Sequence, residues 1–218
     1  MPTRGPLYCE TPAAFDGFPA EPWNAYSSMV ICVWGLVAWL VVLRRAPGAW
    51  PLLAMCALLV LNGVGSTLWH GLRTGWALTL DVQPALVFVA LGAFLWAWRV
   101  GSLRQALMLV AALIVVPIAV RFLPLELPFG RIVLTALVVI AAAVWLIART
   151  WPLSRTSGLT GLIALILALL ALAFRSLDGL SCAHLAFGSH FLWHVTLSAA
   201  AFTLLLTLLR LEQLRQHR

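Results

Sequence analysis

The chain has 218 residues, of which 63% are hydrophobic and 10% charged, with a mean hydropathy of +1.01. A soluble domain of this length needs far more polar surface, so an ordinary globular protein is excluded. The net charge of +7 comes from fourteen Arg and no Lys. They stand singly or in pairs between apolar runs, which marks topology signals rather than a nucleic-acid surface.

Residues 1–23 are read as an extracytoplasmic lead-in; residues 1–20 hold neither a basic n-region nor an apolar h-region, so no cleavable signal is expected and the first span serves as its own insertion signal. Glu10, Asp16 and Glu21 precede or open that span, beside Trp23 and Asn24. Hard oxygen ligands of this kind hold calcium, and they equally suit a solvated lead-in.

Seven apolar runs follow, at about 24–43, 51–70, 77–98, 103–120, 131–148, 158–174 and 188–209. About 20 residues cross the hydrocarbon core, and backbone in lipid must satisfy itself within each segment, so each run is expected to be a transmembrane helix. Breakers divide them: Pro47-Gly48, Gly71 to Gly75, Gly101-Ser102, Pro124 to Gly130, Ser154 to Gly158 and Asp178-Gly179. The expected architecture is an all-α, seven-helix membrane domain over residues 24–209, with a polar tail at 210–218.

With the N-terminus outside, the inner segments hold Arg44, Arg45, Arg99, Arg104, Arg149, Arg155, Arg210, Arg215 and Arg218, nine in all. The outer segments hold Arg4, Arg73, Arg121, Arg131 and Arg175, five in all. Nine against five predicts N-terminus outside and C-terminus inside. Short loops and Arg-only basic content suggest a multi-pass protein of a bacterial inner membrane.

Ionisable residues at membrane depth are costly, so their positions carry information. Ser66 and His70 close the second run, Asp81 opens the third, and His190 and His194 open the seventh. Alternating helix direction brings all five to one level, on the side of the N-terminus. His190 and His194 are four apart and share a helix face, as do Ser66 and His70. Three imidazoles with one open position are the ligand set of a catalytic zinc, which acidifies a water. Asp81 can then take up a proton or orient a ligating His, and Ser66 can hydrogen-bond the water or a developing oxyanion. A lone His in a membrane helix is more often an interhelical hydrogen bond, and convergence of three is what favours the metal. His184 and His217 fall in a loop and in the tail and carry no such expectation. Trp34, Trp69, Trp96, Trp98 and Trp193 read as interface anchors or bundle packing. Arg73, beside the site, reads as a topology residue or a lipid-headgroup contact. Cys32 and Cys56 fall within spans as small apolar residues, whereas Cys9 and Cys182 fall on the outer side, where disulfides persist in an oxidising compartment.

Four stretches together resemble the alkaline ceramidase family, within the superfamily of seven-helix hydrolases that includes the adiponectin and progestin receptors. They are Tyr8-Cys9-Glu10, Glu21-Pro22-Trp23-Asn24, Ser66-x3-His70 followed by Asp81-x-x-Pro84, and His190-x3-His194. The resemblance implies a zinc-dependent amidase that splits ceramide into a sphingoid base and a fatty acid. It implies His70, His190 and His194 as zinc ligands, Asp81 as the proton-transfer group and Ser66 as its assistant. It further implies a regulatory calcium at Glu10 and Glu21 and a disulfide from Cys9 to the loop before the last helix, where Cys182 is available. The chain departs from the pattern at Leu7, where the family has an acid, and at Pro12, where it tends to have Asn; Asp16 and backbone oxygens are the other source of calcium ligands. Other readings are a hydrolase of another acyl lipid, ester or N-acyl, and a zinc-containing lipid-sensing receptor. The motifs do not separate the two hydrolases, since zinc chemistry serves both bonds, whereas the receptor reading finds no long tail or regulatory loop to relay a signal.

Overall fold

The computed structural model describes residues 5–13, 17–120, 122 and 130–216, without the side chains of 130–133. Asp16, Arg4, Arg121, His217, Arg218, the side chain of Arg131 and most of the breaker at 124–130 lie outside the described residues. The described residues form seven α-helices and no strand: α1 Pro22–Arg45, α2 Trp50–Leu72, α3 Gly75–Val100, α4 Leu103–Val120, α5 Gly130–Thr150, α6 Arg155–Ser181 and α7 His190–Gln216. Six are long and apolar enough to cross a membrane, and α5 adds a shorter apolar stretch, Leu134–Thr150. Large side chains such as Val33, Leu36, Val87, Ile166 and Leu170 are exposed on the outside of the bundle. A coat of this kind is stable only against lipid, so the chain is a polytopic membrane protein.

Local sequence explains the helix starts. Pro22 and Pro51 occupy first-turn positions, where a missing N–H costs nothing. Ser154 caps α6 by accepting the Ser157 amide. α7 packs against α1, α6, α2 and α3, and α2 is clasped between α1 and α3. The apolar core, built around Leu52, Met55, Cys56, Leu95, Leu205 and Leu208, fills the half of the bundle farther from the His residues. At that far end Arg99 donates to Glu212 at 2.6 Å.

Two boundaries depart from the sequence reading. α7 runs through the expected polar tail to Gln216, because Glu212 faces Arg99 and Leu211 is buried. α6 does not break at Asp178-Gly179 but continues to Ser181, because the Asp178 carboxylate is engaged from inside the fold. Cys56 is buried in α2 and Cys32 half-buried in α1.

α2 approaches its neighbours closely through glycine. A Cβ on Gly65 would strike the Leu80 carbonyl and come within 2.5 Å of the Asp81 amide nitrogen, both backbone atoms that cannot yield. A Cβ on Gly63 would come within 2.7 Å of the Cys32 nitrogen. These contacts bring α1, α2 and α3 close enough for short serine side chains to bridge them.

Candidate metal centre

The last turn of α2 and the first turns of α7 present their histidines to one another. His70, His190 and His194 are all buried, and each offers a nitrogen within 4.8 Å of the other two. Among the described residues no other group of His, Cys, Asp and Glu converges in this way. The ring centroids of His190 and His194 lie 4.7 Å apart, and that of His70 lies 5.3 and 4.9 Å from them.

Two of the three rings are held from behind. Nδ1 of His70 meets a carboxylate oxygen of Glu21. Nδ1 of His194 lies 2.8 Å from the Ser27 hydroxyl and 3.4 Å from that of Ser28. Partners on Nδ1 leave Nε2 of both rings toward the centre. Nδ1 of His190 is buried with no hydrogen-bond partner among the described residues. A buried imidazole with an unmet nitrogen, beside two rings oriented through their far nitrogens, fits a metal ion.

A line of polar groups leads away from the trio. The Ser28 hydroxyl donates to that of Ser66 at 3.0 Å, and Ser66 stands beside the Asp81 carboxylate. Asn62 donates from Nδ2 to the backbone and side-chain oxygens of Asp81, at 2.7 and 3.1 Å. Asp81 and Ser66 thus stand on one network with the His194 side of the centre. Below them an apolar cavity of about 220 Å³ opens between the helices, lined by Asn62, Phe88, Ala168, Ser198 and Leu204 and reaching Trp96. Asn62 belongs to both the network and the cavity wall.

The N-terminal segment forms a strap over the centre. Its Ala20 and Glu21 amides donate to the Gly71 and His70 carbonyls at 3.0 and 2.9 Å, taking up carbonyls that the end of α2 leaves free. The Tyr8 ring lies 4.0 Å from that of His190 and 5.1 Å from that of His70. Burial pushes the Tyr8 phenol above its ordinary value. Cys9 is joined to Cys182, with their Cα atoms 5.3 Å apart. The strap is therefore part of the site wall and not a solvated lead-in.

The two acids considered for calcium each have partners within the chain. Both Glu10 oxygens are occupied by the Trp23 and Asn24 amides at 2.6 and 2.9 Å, which is an anion capping the start of α1. Burial raises the Glu10 carboxyl above its usual range against the pull of those amides. Glu21 is fully buried and already meets His70, the Thr11 hydroxyl and Arg73. The oxygens of Glu10 and Glu21 thus all have partners within the chain.

Several site residues escaped the sequence reading. Asp178 accepts the amides of Ser189 and His190 at 2.8 Å each, and that of Cys9 at 3.1 Å. It caps α7 and ties the strap to α6, whereas Asp-Gly reads as a turn. Gly188, at φ +66°, brings the chain round to this carboxylate. Arg73 does not face a lipid headgroup: it is 1% exposed. It sits at φ 53°, a left-handed position that costs a non-glycine residue about 1–2 kcal/mol. Its guanidinium reaches Glu21 at 3.2 Å and the Pro6 carbonyl at 2.6 Å, and stacks 4.0 Å over Trp69. Spacing gave one usable hint, since Ser27-Ser28 is a polar pair at the level of Asn24 within an apolar run. His184 is an exposed loop residue. No family model and no curated protein matches the chain.

Proposed function

We propose that the chain is an intramembrane zinc-dependent amide hydrolase that cleaves ceramide-like N-acyl lipids to a sphingoid base and a fatty acid. The observation that carries this reading is the buried trio His70, His190 and His194 beside the neighbouring Ser66 and Asp81. Zinc bound by the trio would polarise the amide carbonyl and acidify a water. Asp81 takes the proton of the attacking water on its carboxylate and delivers it to the departing amine. Ser66, which accepts from Ser28, turns its own hydrogen toward the oxyanion as that charge develops. Asn62 holds Asp81 in place through both of its bonds. The apolar cavity below Asn62 suits an acyl chain, because it would bury methylene groups at about 0.8 kcal/mol each. The excess of Arg on one set of loops favours an N-outside orientation in a bacterial inner membrane, with the site toward the periplasm.

The test is the metal content of detergent-purified protein, followed by turnover of a ceramide and of its ester analogue. About one zinc per chain is expected by the three-ligand argument, with loss in His194→Ala. Asp81→Ala is expected to keep zinc and lose turnover on the order of 10²–10⁴-fold. A folded natural chain without zinc, or undiminished turnover in Asp81→Ala, defeats the proposal. Turnover of the ester alone moves the substrate to another acyl lipid.

A further inference from the structure

Glu21 stands at a junction. One of its carboxylate oxygens meets Nδ1 of His70, and the other accepts from Thr11 and faces the Arg73 guanidinium at 3.2 Å. The side chains of Glu21 and Arg73 are 0% and 1% exposed, so the pair is removed from water. A buried carboxylate needs a compensating charge, and Arg73 is the cation the fold supplies.

The placement of that cation is specific. Arg73 follows the last turn of α2, three residues after His70, in the left-handed conformation. There its backbone N–H donates to the Trp69 carbonyl at 2.8 Å, and the turn directs the side chain back over the site. The guanidinium is flanked by Trp69, at 4.0 Å, and Tyr8, at 5.6 Å, which leaves it little freedom to swing away from Glu21. Its donation to the Pro6 carbonyl pins the start of the strap at the same time. A glycine would occupy this left-handed position without strain, yet the position holds the longest cationic side chain.

We propose that Arg73 is a positioning residue of the metal centre: it fixes the Glu21 carboxylate against His70 and acts as the resident cation where an acidic segment would otherwise need a divalent ion. Carboxylate contact with the far nitrogen of a ligating His sets its tautomer and ring orientation and strengthens it as a donor. Arg73 therefore controls metal affinity without touching the metal. The strap consequently needs no calcium to stay seated. This inference rests on the metal-centre reading above, and the experiment separates the two.

The measurement is zinc affinity of the purified full chain, read by competition with a chromophoric chelator. The variants are Arg73→Gly, Arg73→Lys, Glu21→Gln and the double variant Glu21→Gln/Arg73→Gly. Arg73→Gly is chosen because glycine suits φ 53° and relieves the backbone while it removes the guanidinium. It is expected to bind zinc roughly 10–100-fold more weakly, the usual effect of losing an outer-shell partner. Arg73→Lys should recover part of that loss, since an ammonium keeps the charge but not the planar fork or the stacking. The double variant should bind no more weakly than Glu21→Gln alone, because both changes break one linkage. Adding calcium, or chelating it, should leave the natural chain's zinc affinity and Tm unchanged.

An Arg73→Gly chain that binds zinc within about threefold of the natural chain, with only a lower Tm, makes Arg73 a strap anchor alone and overturns the proposal. Losses in the two single variants that multiply in the double variant overturn it as well. So does a calcium-dependent gain in zinc affinity in the natural chain. A natural chain that takes no zinc overturns the metal centre itself, and this inference with it.

Discussion

The Asp178 carboxylate accepts the backbone N–H of His190 at 2.8 Å, so a metal-ligand candidate on one helix takes its position from an acid on the previous one. The same oxygen accepts from Ser189, and the other holds Cys9. Asp178→Ala would leave three amides to find other partners near a buried helix start. Losing a buried partner of this kind costs about 1–3 kcal/mol. We expect a clear fall in Tm together with reduced zinc occupancy, measured on the same preparation. Unchanged zinc at lower Tm would confine Asp178 to a structural role.

Gly65 lets α2 touch the backbone of α3 at Leu80 and Asp81. In Gly65→Ala the helices must part, which separates Ser66 from Asp81 while the three histidines stay on α2 and α7. Overpacking of this kind costs about 1–3 kcal/mol. The expected outcome is a chain that retains zinc yet hydrolyses amide at least tenfold more slowly. Full activity would show that the Ser66–Asp81 contact is dispensable.

The cavity under Asn62 gives a size test. Ala168 lines it from α6, and Ala168→Phe would put a ring into about 220 Å³ of apolar space. Long-chain amides are expected to lose turnover more than tenfold, short-chain ones to be spared, and zinc content to stay the same. Equal loss for all chain lengths would place the acyl chain elsewhere.

The disulfide between Cys9 and Cys182 closes a loop with a sequence separation of 173 residues. Loop-closure entropy assigns a cross-link of this span about 5 kcal/mol, and measured values run near 2–4 kcal/mol. Cys9→Ser, or reduction of the natural chain, should lower Tm and loosen the strap. Accelerated proteolysis within residues 5–13 is the direct readout, and an unaltered cleavage pattern would mean that Arg73, Asp178 and the strap's backbone bonds suffice.

The parts of the molecule legible in the sequence are those set by single-helix rules. Runs of apolar residues divided by breakers mark the helices, and i, i+4 spacing with alternating direction collects His70, His190 and His194 at one level. What escaped depends on partners far away in the chain. Asp178-Gly179 has turn chemistry, yet Asp178 stays helical because amides of Cys9, Ser189 and His190 satisfy it. Arg73 resembles a loop topology signal until Glu21, 52 positions earlier in the numbering, is found buried against it. Glu10 and Glu21 have the composition of a calcium site, and only the geometry shows their oxygens already taken by backbone amides, a hydroxyl, an imidazole and a guanidinium.

The Asp178 junction also divides the molecule by its tolerance for change in length. The connection between α6 and α7 must return from Ser181 to Ser189 at a fixed distance, with Gly188 in its special conformation, for one carboxylate to hold both the strap and α7. An added residue there would be felt at His190. The opposite end is freer at one point: between the buried Ala46 and Ala49, Pro47 and Gly48 are exposed, and a Cβ on Gly48 would meet nothing within 4 Å. An epitope insertion therefore belongs between Pro47 and Gly48, where the chain can grow without disturbing the chemistry.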